Sequence, residues 1–173
     1  TKESVSLDSP SFLQVSRLTS QKGIERLIDV HKKLIDEGLF HKIYIVGDGP
    51  LRSEITSKIK ELNLGDSFIL VGSKDNPYPY IKACDYFMLM SLYEGFGMVL
   101  VEAMILNKYI LITDTASREC VKDYKSSEIF NNDFDSIYEG LKKVIKNRPK
   151  ALKDNNYSND NILKEIEKVI EGD

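Results

Sequence analysis

Four charged residues and a glycine-rich turn carry the chemistry that this chain can do. Glu94 and Glu102 bracket the stretch EGFGMVLVE, with seven residues between them. Glu94 adjoins Gly95-Phe96-Gly97, and Glu102 interrupts an apolar run from Met98 to Leu106. A carboxylate among apolar neighbours is costly unless something partners it. Gly95 to Gly97 precede a helical pattern, and the bare N–H groups and positive dipole end of a helix start favour an anion. Upstream, Arg17 and Lys22 flank the start of another helical pattern and can meet the same anion. Two cations, a glycine turn and a helix start suit a diphosphate. Glu94 would lie beside those phosphates, where a carboxylate makes sense as an acceptor for hydroxyls on whatever the phosphate carries. At helical rise, Glu102 lies roughly 10 Å from Glu94. One ligand with a sugar at one end and a ribose at the other can bridge that gap.

The elements that must position these residues alternate between strand-like and helix-like patterns. Apolar runs at SFLQVSRL (11–18), KIYIVG (42–47), SFILVG (67–72), DYFMLMS (85–91) and YILIT (109–113) read as strands, with EIF (128–130) as a short sixth. Between them, Ile24, Leu27, Ile28, His31, Leu34 and Ile35 recur at helical spacing. So do Leu51, Ile55, Ile59 and Leu62, with Pro50 suited to the first turn. Two prolines limit 76–84 to a short helix. A helix is expected from about Gly97 to Asn107, another through Ile137, Leu141, Val144 and Ile145, and a last one at 158–171. Near-continuous apolar strands alternating with helices predict an α/β fold: a doubly wound parallel sheet of about six strands covered on both faces. Ligands of such sheets bind at the carboxyl ends of the strands. Those ends carry Arg17, Gly47 and Gly49, Gly72 and Ser73, Ser91 to Gly97, and Thr113-Asp114. The opposite loops look like plain connectors.

Composition agrees with one globular domain. The chain has 173 residues, 42% hydrophobic and 29% charged, with a net charge of −3. Nothing suggests a nucleic-acid surface, and no segment is apolar and long enough to span a membrane. Cys84 and Cys120 lack metal-ligand spacing, and two plain thiols fit a reducing, cytoplasmic setting. Taken singly, Arg17 and Lys22 fit surface charges, Glu94 an exposed loop acid, and Gly47 and Gly49 a tight turn. His31 reads as a helix-face residue and His41 sits at the edge away from the glycines. Tyr78, Tyr80 and Tyr86 read as core or rim.

The motifs SRLTSQKG (16–23), VGDGP (46–50), VGS (71–73) and EGFGMVLVE (94–102) resemble the donor-binding, C-terminal half of retaining GT-B glycosyltransferases of the group 1 type. The E-x7-E pattern is the most specific, and NPYPYIKACDYF (76–87) and TDTASRE (113–119) match in order and spacing. The likeness covers about residues 11–146. It implies a Rossmann-like half of a GT-B fold, a single nucleotide-sugar-binding domain over 1–173, with the N-terminal acceptor domain absent. It implies that Arg17 and Lys22 hold the diphosphate, that Glu94 contacts the transferred sugar, and that Glu102 binds the ribose hydroxyls. It also implies that Gly95, Phe96, Gly97, Met98 and Val99 supply backbone contacts. The donor, a UDP- or GDP-sugar, is then a substrate. No cofactor or metal is expected, and membrane contact only through the absent domain. One departure is Ala116-Ser117, where many relatives carry Gly-Gly. The isolated domain is expected to be inactive or nearly so.

Three rivals remain open. In a nicotinamide dehydrogenase, Arg52 would stand where the third glycine of G-x-G-x-x-G belongs. A nucleotide-sugar epimerase would bind the same diphosphate, but the E-x7-E pattern argues against it. A nucleotide-sugar-binding or assembly module would bind without turnover.

Overall fold

The computed structural model describes residues 4–153. Six strands form one all-parallel sheet: β1 (Ser11–Val15), β2 (Lys42–Val46), β3 (Phe68–Gly72), β4 (Tyr86–Leu89), β5 (Tyr109–Thr113) and β6 (Ser127–Phe130), in the spatial order β3-β2-β1-β4-β5-β6. The helices are α1 (Ile24–Asp36), α2 (Arg52–Glu61), α3 (Tyr78–Ala83), α4 (Met98–Ile105), α5 (Arg118–Val121) and α6 (Phe134–Asn147), with a 3-10 turn at Ser20–Lys22.

The expected doubly wound parallel sheet is present, and its strands show why. Side chains alternate across a strand. Phe12, Ile43, Ile45, Tyr86, Met88 and Leu111 pack under α1, α2 and α6. Leu13, Tyr44, Val46, Phe87, Leu89, Ile110 and Ile112 pack under α3, α4 and α5. Both faces are buried, so the strands read as continuous apolar runs.

Two helix starts matter for the site, one of them later than expected and one close to the expected position. α2 begins at Arg52, two residues after Pro50, because the intervening turn is tied down: the Leu51 N–H donates to the Leu18 carbonyl at 3.1 Å and the Arg52 N–H to the Gly49 carbonyl at 3.2 Å. α4 begins at Met98, so Glu94 lies outside it. The helical rise therefore separates Met98 from Glu102, and the rough 10 Å spacing from Glu94 does not follow from it. The C-terminal helix expected at 158–171 lies outside the described residues.

The topology places the crevice. From β1 the chain proceeds to β2 and β3 on one side, then crosses to β4, β5 and β6 on the other. The direction reverses between β1 and β4, and that switch is where doubly wound sheets bind ligands. Ladder pairing between β1 and β4 covers Phe12↔Tyr86 and Leu13↔Phe87.

Candidate functional site

The loops leaving β1 and β4 meet at that switch point. After β1, the Ser16 N–H donates to the Val46 carbonyl at 3.0 Å and the Leu18 N–H to the Asp48 carbonyl at 3.1 Å, holding the segment against the end of β2. The 3-10 turn Ser20–Lys22 then ends at Gly23, with φ +68°. A Cβ there would lie 2.2 Å from the Met90 carbonyl oxygen, so only glycine lets the turn press on the end of β4. From the other side the Leu92 N–H donates to the Gln21 carbonyl at 2.9 Å, and Gln21 Nε2 to the Tyr93 carbonyl at 3.3 Å.

This stitching brings Lys22 to Glu94. Lys22 Nζ donates to Glu94 Oε1 at 3.1 Å and to Oε2 at 2.9 Å. Their side chains are 18% and 12% exposed. The Ser91 hydroxyl donates to the same Oε2 at 2.9 Å. Ser91 is itself buried, its carbonyl accepting from the Thr113 hydroxyl at 2.6 Å. Glu94 is thus held by a cation and a hydroxyl, whereas the sequence reading had placed Lys22 on phosphate alone. An ammonium has three N–H donors, so Lys22 keeps capacity beyond its two contacts with Glu94.

Glu102 is set differently. It projects from α4, whose other seven residues are apolar, and is partly buried. Among the described residues its carboxylate has no hydrogen-bond or ion-pair partner. Desolvation by burial raises its pKa above the usual carboxylate value. The Tyr78 phenol is raised too, first by desolvation and then by the Glu102 charge, so the two side chains share an environment. A partly desolvated carboxylate without a donor is a ready acceptor for hydroxyls. α4 has Gly97 at its N-cap and no side-chain cap, which leaves its first N–H groups without a side-chain acceptor. Arg17 is exposed, and its guanidinium has no partner among the described residues. Phe96 and Met98 are exposed, and Val99 is half-buried.

The remaining expected site residues lie at the same sheet edge, where the two glycines after β2 serve packing. At Gly47, φ is +145° and a Cβ would sit 1.8 Å from the Ser16 carbonyl oxygen. At Gly49 a Cβ would fall 2.6–2.9 Å from Leu18 backbone atoms, and the Gly49 N–H already donates to Asp48 Oδ1 at 2.8 Å. These two glycines let the β2 turn dock on the segment that carries Arg17. The Gly72 carbonyl accepts from the Gly47 N–H at 2.9 Å, and Ser73 is exposed. Ser117, at the departure from Gly-Gly, is buried, its hydroxyl 2.7 Å from that of Thr115.

Sequence reasoning passed over several supporting residues. Arg26 donates to the Met90 carbonyl at 3.3 Å and to Asn132 Oδ1 at 2.7 Å, and Asn132 Nδ2 donates to the Leu92 carbonyl at 2.6 Å. Gln14, fully buried in β1, was also missed. An amide inside the apolar run SFLQV was the available signal. His41 lies at the opposite sheet edge, as expected, and His31, on a buried face of α1, bonds to it there.

A sheet with this strand order, bearing an ion pair across its switch point and, on the next helix, an acid unpartnered among the described residues, is a doubly wound, Rossmann-like α/β domain. Comparison with known proteins gives its family. The family model for glycosyl transferases group 1 matches residues 2–162. The chain is 32% identical over 146 residues to the N-acetylgalactosamine-N,N'-diacetylbacillosaminyl-diphospho-undecaprenol 4-alpha-N-acetylgalactosaminyltransferase of Campylobacter jejuni, covering 83% of this chain and 39% of that protein. Among solved structures, Anabaena HepE in complex with UDP superposes with a TM-score of 0.74 at 18% identity, over 94% of this chain and 48% of that one. The C-terminal domain of a glycosyl transferase group 1 family protein (LpcC) from Francisella tularensis superposes with a TM-score of 0.68 at 19% identity, over 80% and 76%. This chain belongs to the group 1 glycosyltransferases, and its sheet is the Rossmann-like unit of their GT-B fold. It spans about two-fifths of the length of the Campylobacter relative.

Proposed function

We propose that this chain is the donor-binding half of a two-domain glycosyltransferase that binds a nucleotide-diphosphate sugar and works, with the N-terminal half, by metal-independent transfer with retention. The observation that carries the reading is the Lys22–Glu94 pair fixed across the β1/β4 switch point. Arg17 and Glu102 lie on the same edge without protein partners among the described residues.

In this reading Arg17, Lys22 and the uncapped start of α4 take the diphosphate. Lys22 bridges phosphate and Glu94, Glu94 accepts from the sugar hydroxyls, and Glu102 accepts from the ribose. The residues Gly95, Phe96, Gly97, Met98 and Val99 line the route between them. During transfer the bond from the anomeric carbon to the diphosphate breaks. The acceptor oxygen bonds to the same face, and its proton passes to the leaving phosphate oxygen. Negative charge grows on that phosphate, where the two cations and the helix start stabilise it. A cytoplasmic site of action fits a nucleotide-sugar donor.

Calorimetry in EDTA with UDP, GDP, ADP and their sugars tests the binding step. Heat with at least one of them is expected, and none with any would remove the reading. Anomeric analysis of the product of the two-domain enzyme tests the chemistry. Retention is expected, and an inverted product would overturn the mechanism.

A further inference from the structure

Gln14 lies between Leu13 and Val15 at the centre of the sheet and is fully buried. A central strand has no packing need for an amide, and burying one is costly unless it is hydrogen-bonded. Here both ends are used. Nε2 donates to the Lys22 carbonyl at 3.1 Å and to the Ser16 hydroxyl at 3.2 Å. Oε1 accepts from the Met90 N–H at 2.8 Å. A carbonyl only accepts and a backbone N–H only donates, so the orientation of the amide is fixed.

These partners belong to the two loops that carry the ion pair. Lys22 supplies its ammonium to Glu94, and Met90 immediately precedes Ser91, whose hydroxyl holds the same carboxylate. The backbone ladder between β1 and β4 stops after Leu13↔Phe87. Past that point the Gln14 side chain ties the end of β1 to Met90, just after β4, and to the Lys22 carbonyl.

We propose that Gln14 is a positioning residue: it sets the separation of Lys22 and Glu94, and so couples the diphosphate end of the site to the sugar end. The coupling to ligand rests on the donor-site reading; the setting of the ion pair does not.

The test is Gln14→Met, which has similar length and no amide, read in two ways. In a crystal structure of the variant, the Lys22 Nζ–Glu94 separation is expected to open past about 4 Å. In calorimetry with UDP and UDP-glucose, the preference for the sugar nucleotide over UDP is expected to fall about threefold or more, because a coupled pair has lost its register. Adding Glu94→Gln to Gln14→Met should then lower that preference by less than Glu94→Gln does in the unmodified domain. A folded variant with the ion pair intact and the preference unchanged would overturn the proposal, even if its Tm dropped. Should Gln14→Met fail to fold, Gln14→Glu keeps an acceptor for the Met90 N–H while losing the amide donors to Lys22, and the same two readouts apply. If the unmodified domain binds neither nucleotide, the uridine form of the donor reading fails, and the crystallographic distance alone decides the role of Gln14.

Discussion

The two edges of this sheet bury polar groups in opposite ways. At the amino edge, His31 and His41 form a closed chain. The Leu39 carbonyl can only accept, so His41 Nδ1 carries the proton, at 2.8 Å. His41 Nε2 must then accept from His31 Nδ1–H at 2.8 Å, and His31 Nε2 from the Ser67 hydroxyl at 2.8 Å. Every ring nitrogen has a partner and nothing is left over. At the carboxyl edge the accounts stay open: Arg17 and Glu102 have no partners among the described residues, and Lys22 has spare donor capacity. Saturated polar burial holds a fold, whereas unsaturated polar groups beside a crevice wait for a ligand. On the proposed function, the contrast gives a reason why two histidines, the residues most readily suspected of catalysis, are assigned no catalytic role. Four ways of perturbing these edges sharpen or break the comparison.

The largest effect is expected at the open edge. In the two-domain enzyme, Arg17→Ala or Lys22→Ala should lower the chemical rate by about 100-fold or more, because the charge they face grows in the transition state. Donor affinity should fall less. Single-turnover kinetics set against equilibrium binding separate the two. Equal losses in rate and affinity would assign these cations to ground-state binding only.

At the closed edge the perturbation is acid. Burial, with the neighbouring ring adding to it, lowers the His31 pKa from 6.5 to about 3. Burial lowers that of His41 to about 4, against a backbone hydrogen bond that raises it. Below pH about 6.5 the unfolded chain takes up protons that the folded chain refuses. The stability is therefore full above that pH and is lost as pH falls toward the folded values. For His41 the loss by pH 4 is about 3 kcal/mol. Denaturant unfolding at pH 7, 5.5 and 4.5 should show stability falling through this window. A flat profile would mean that the buried rings accept protons without cost and that the edge is not saturated.

How far the sequence made these two edges legible follows from distance along the chain. The strands are visible because a sheet covered on both faces writes unbroken apolar runs, and both Glu94 and Lys22 stand out beside glycines. Their contact does not, because they are 72 positions apart and meet only because β1 and β4 are neighbours. The same holds for His31 and His41: pattern puts one on a helix face and the other at the edge away from the glycines, but only the loop geometry joins them. Gly47 and Gly49 fit a ligand loop or a tight turn equally well in one dimension. Their crowding against Ser16 and Leu18 becomes evident only when the β2 turn is docked. The helix expected from about Gly97 is present from Met98, and the distance between Glu94 and Glu102 cannot be taken from helical rise because Glu94 precedes that start. Gln14 shows the converse, a signal present in the sequence as a polar residue in an apolar strand and read only once its partners are seen.

The two glutamates test whether open means functional. Glu102→Gln should weaken UDP and a UDP-sugar alike, since the ribose is common to both. Glu94→Gln should weaken the sugar nucleotide more than UDP. Hydrogen bonds to a charged acceptor are worth about 1.5–3 kcal/mol, or roughly tenfold to a hundredfold in affinity. Glu102→Gln should also leave stability unchanged or improved, because it removes a desolvated charge that has no protein partner among the described residues. Glu94→Gln should lower it, since Lys22 would lose its ion pair. Equal losses for both ligands in both variants would dissolve the division of labour.

The smallest effect on the fold is expected at Gly95. A Cβ there would meet no atom within 4 Å, and its φ lies outside the left-handed region. Gly95→Ala should therefore change stability by no more than about 0.5 kcal/mol, in contrast to Gly47, where a Cβ would collide with the Ser16 carbonyl at 1.8 Å. Yet Gly95 adjoins Glu94 on the route assigned to the donor, where close backbone approach is the reason for a glycine. Affinity for the sugar nucleotide should fall several-fold while the Tm stays put. A variant silent in both measurements would show that the turn does not touch the donor, and would narrow the open edge to Arg17, Lys22, Glu94 and Glu102.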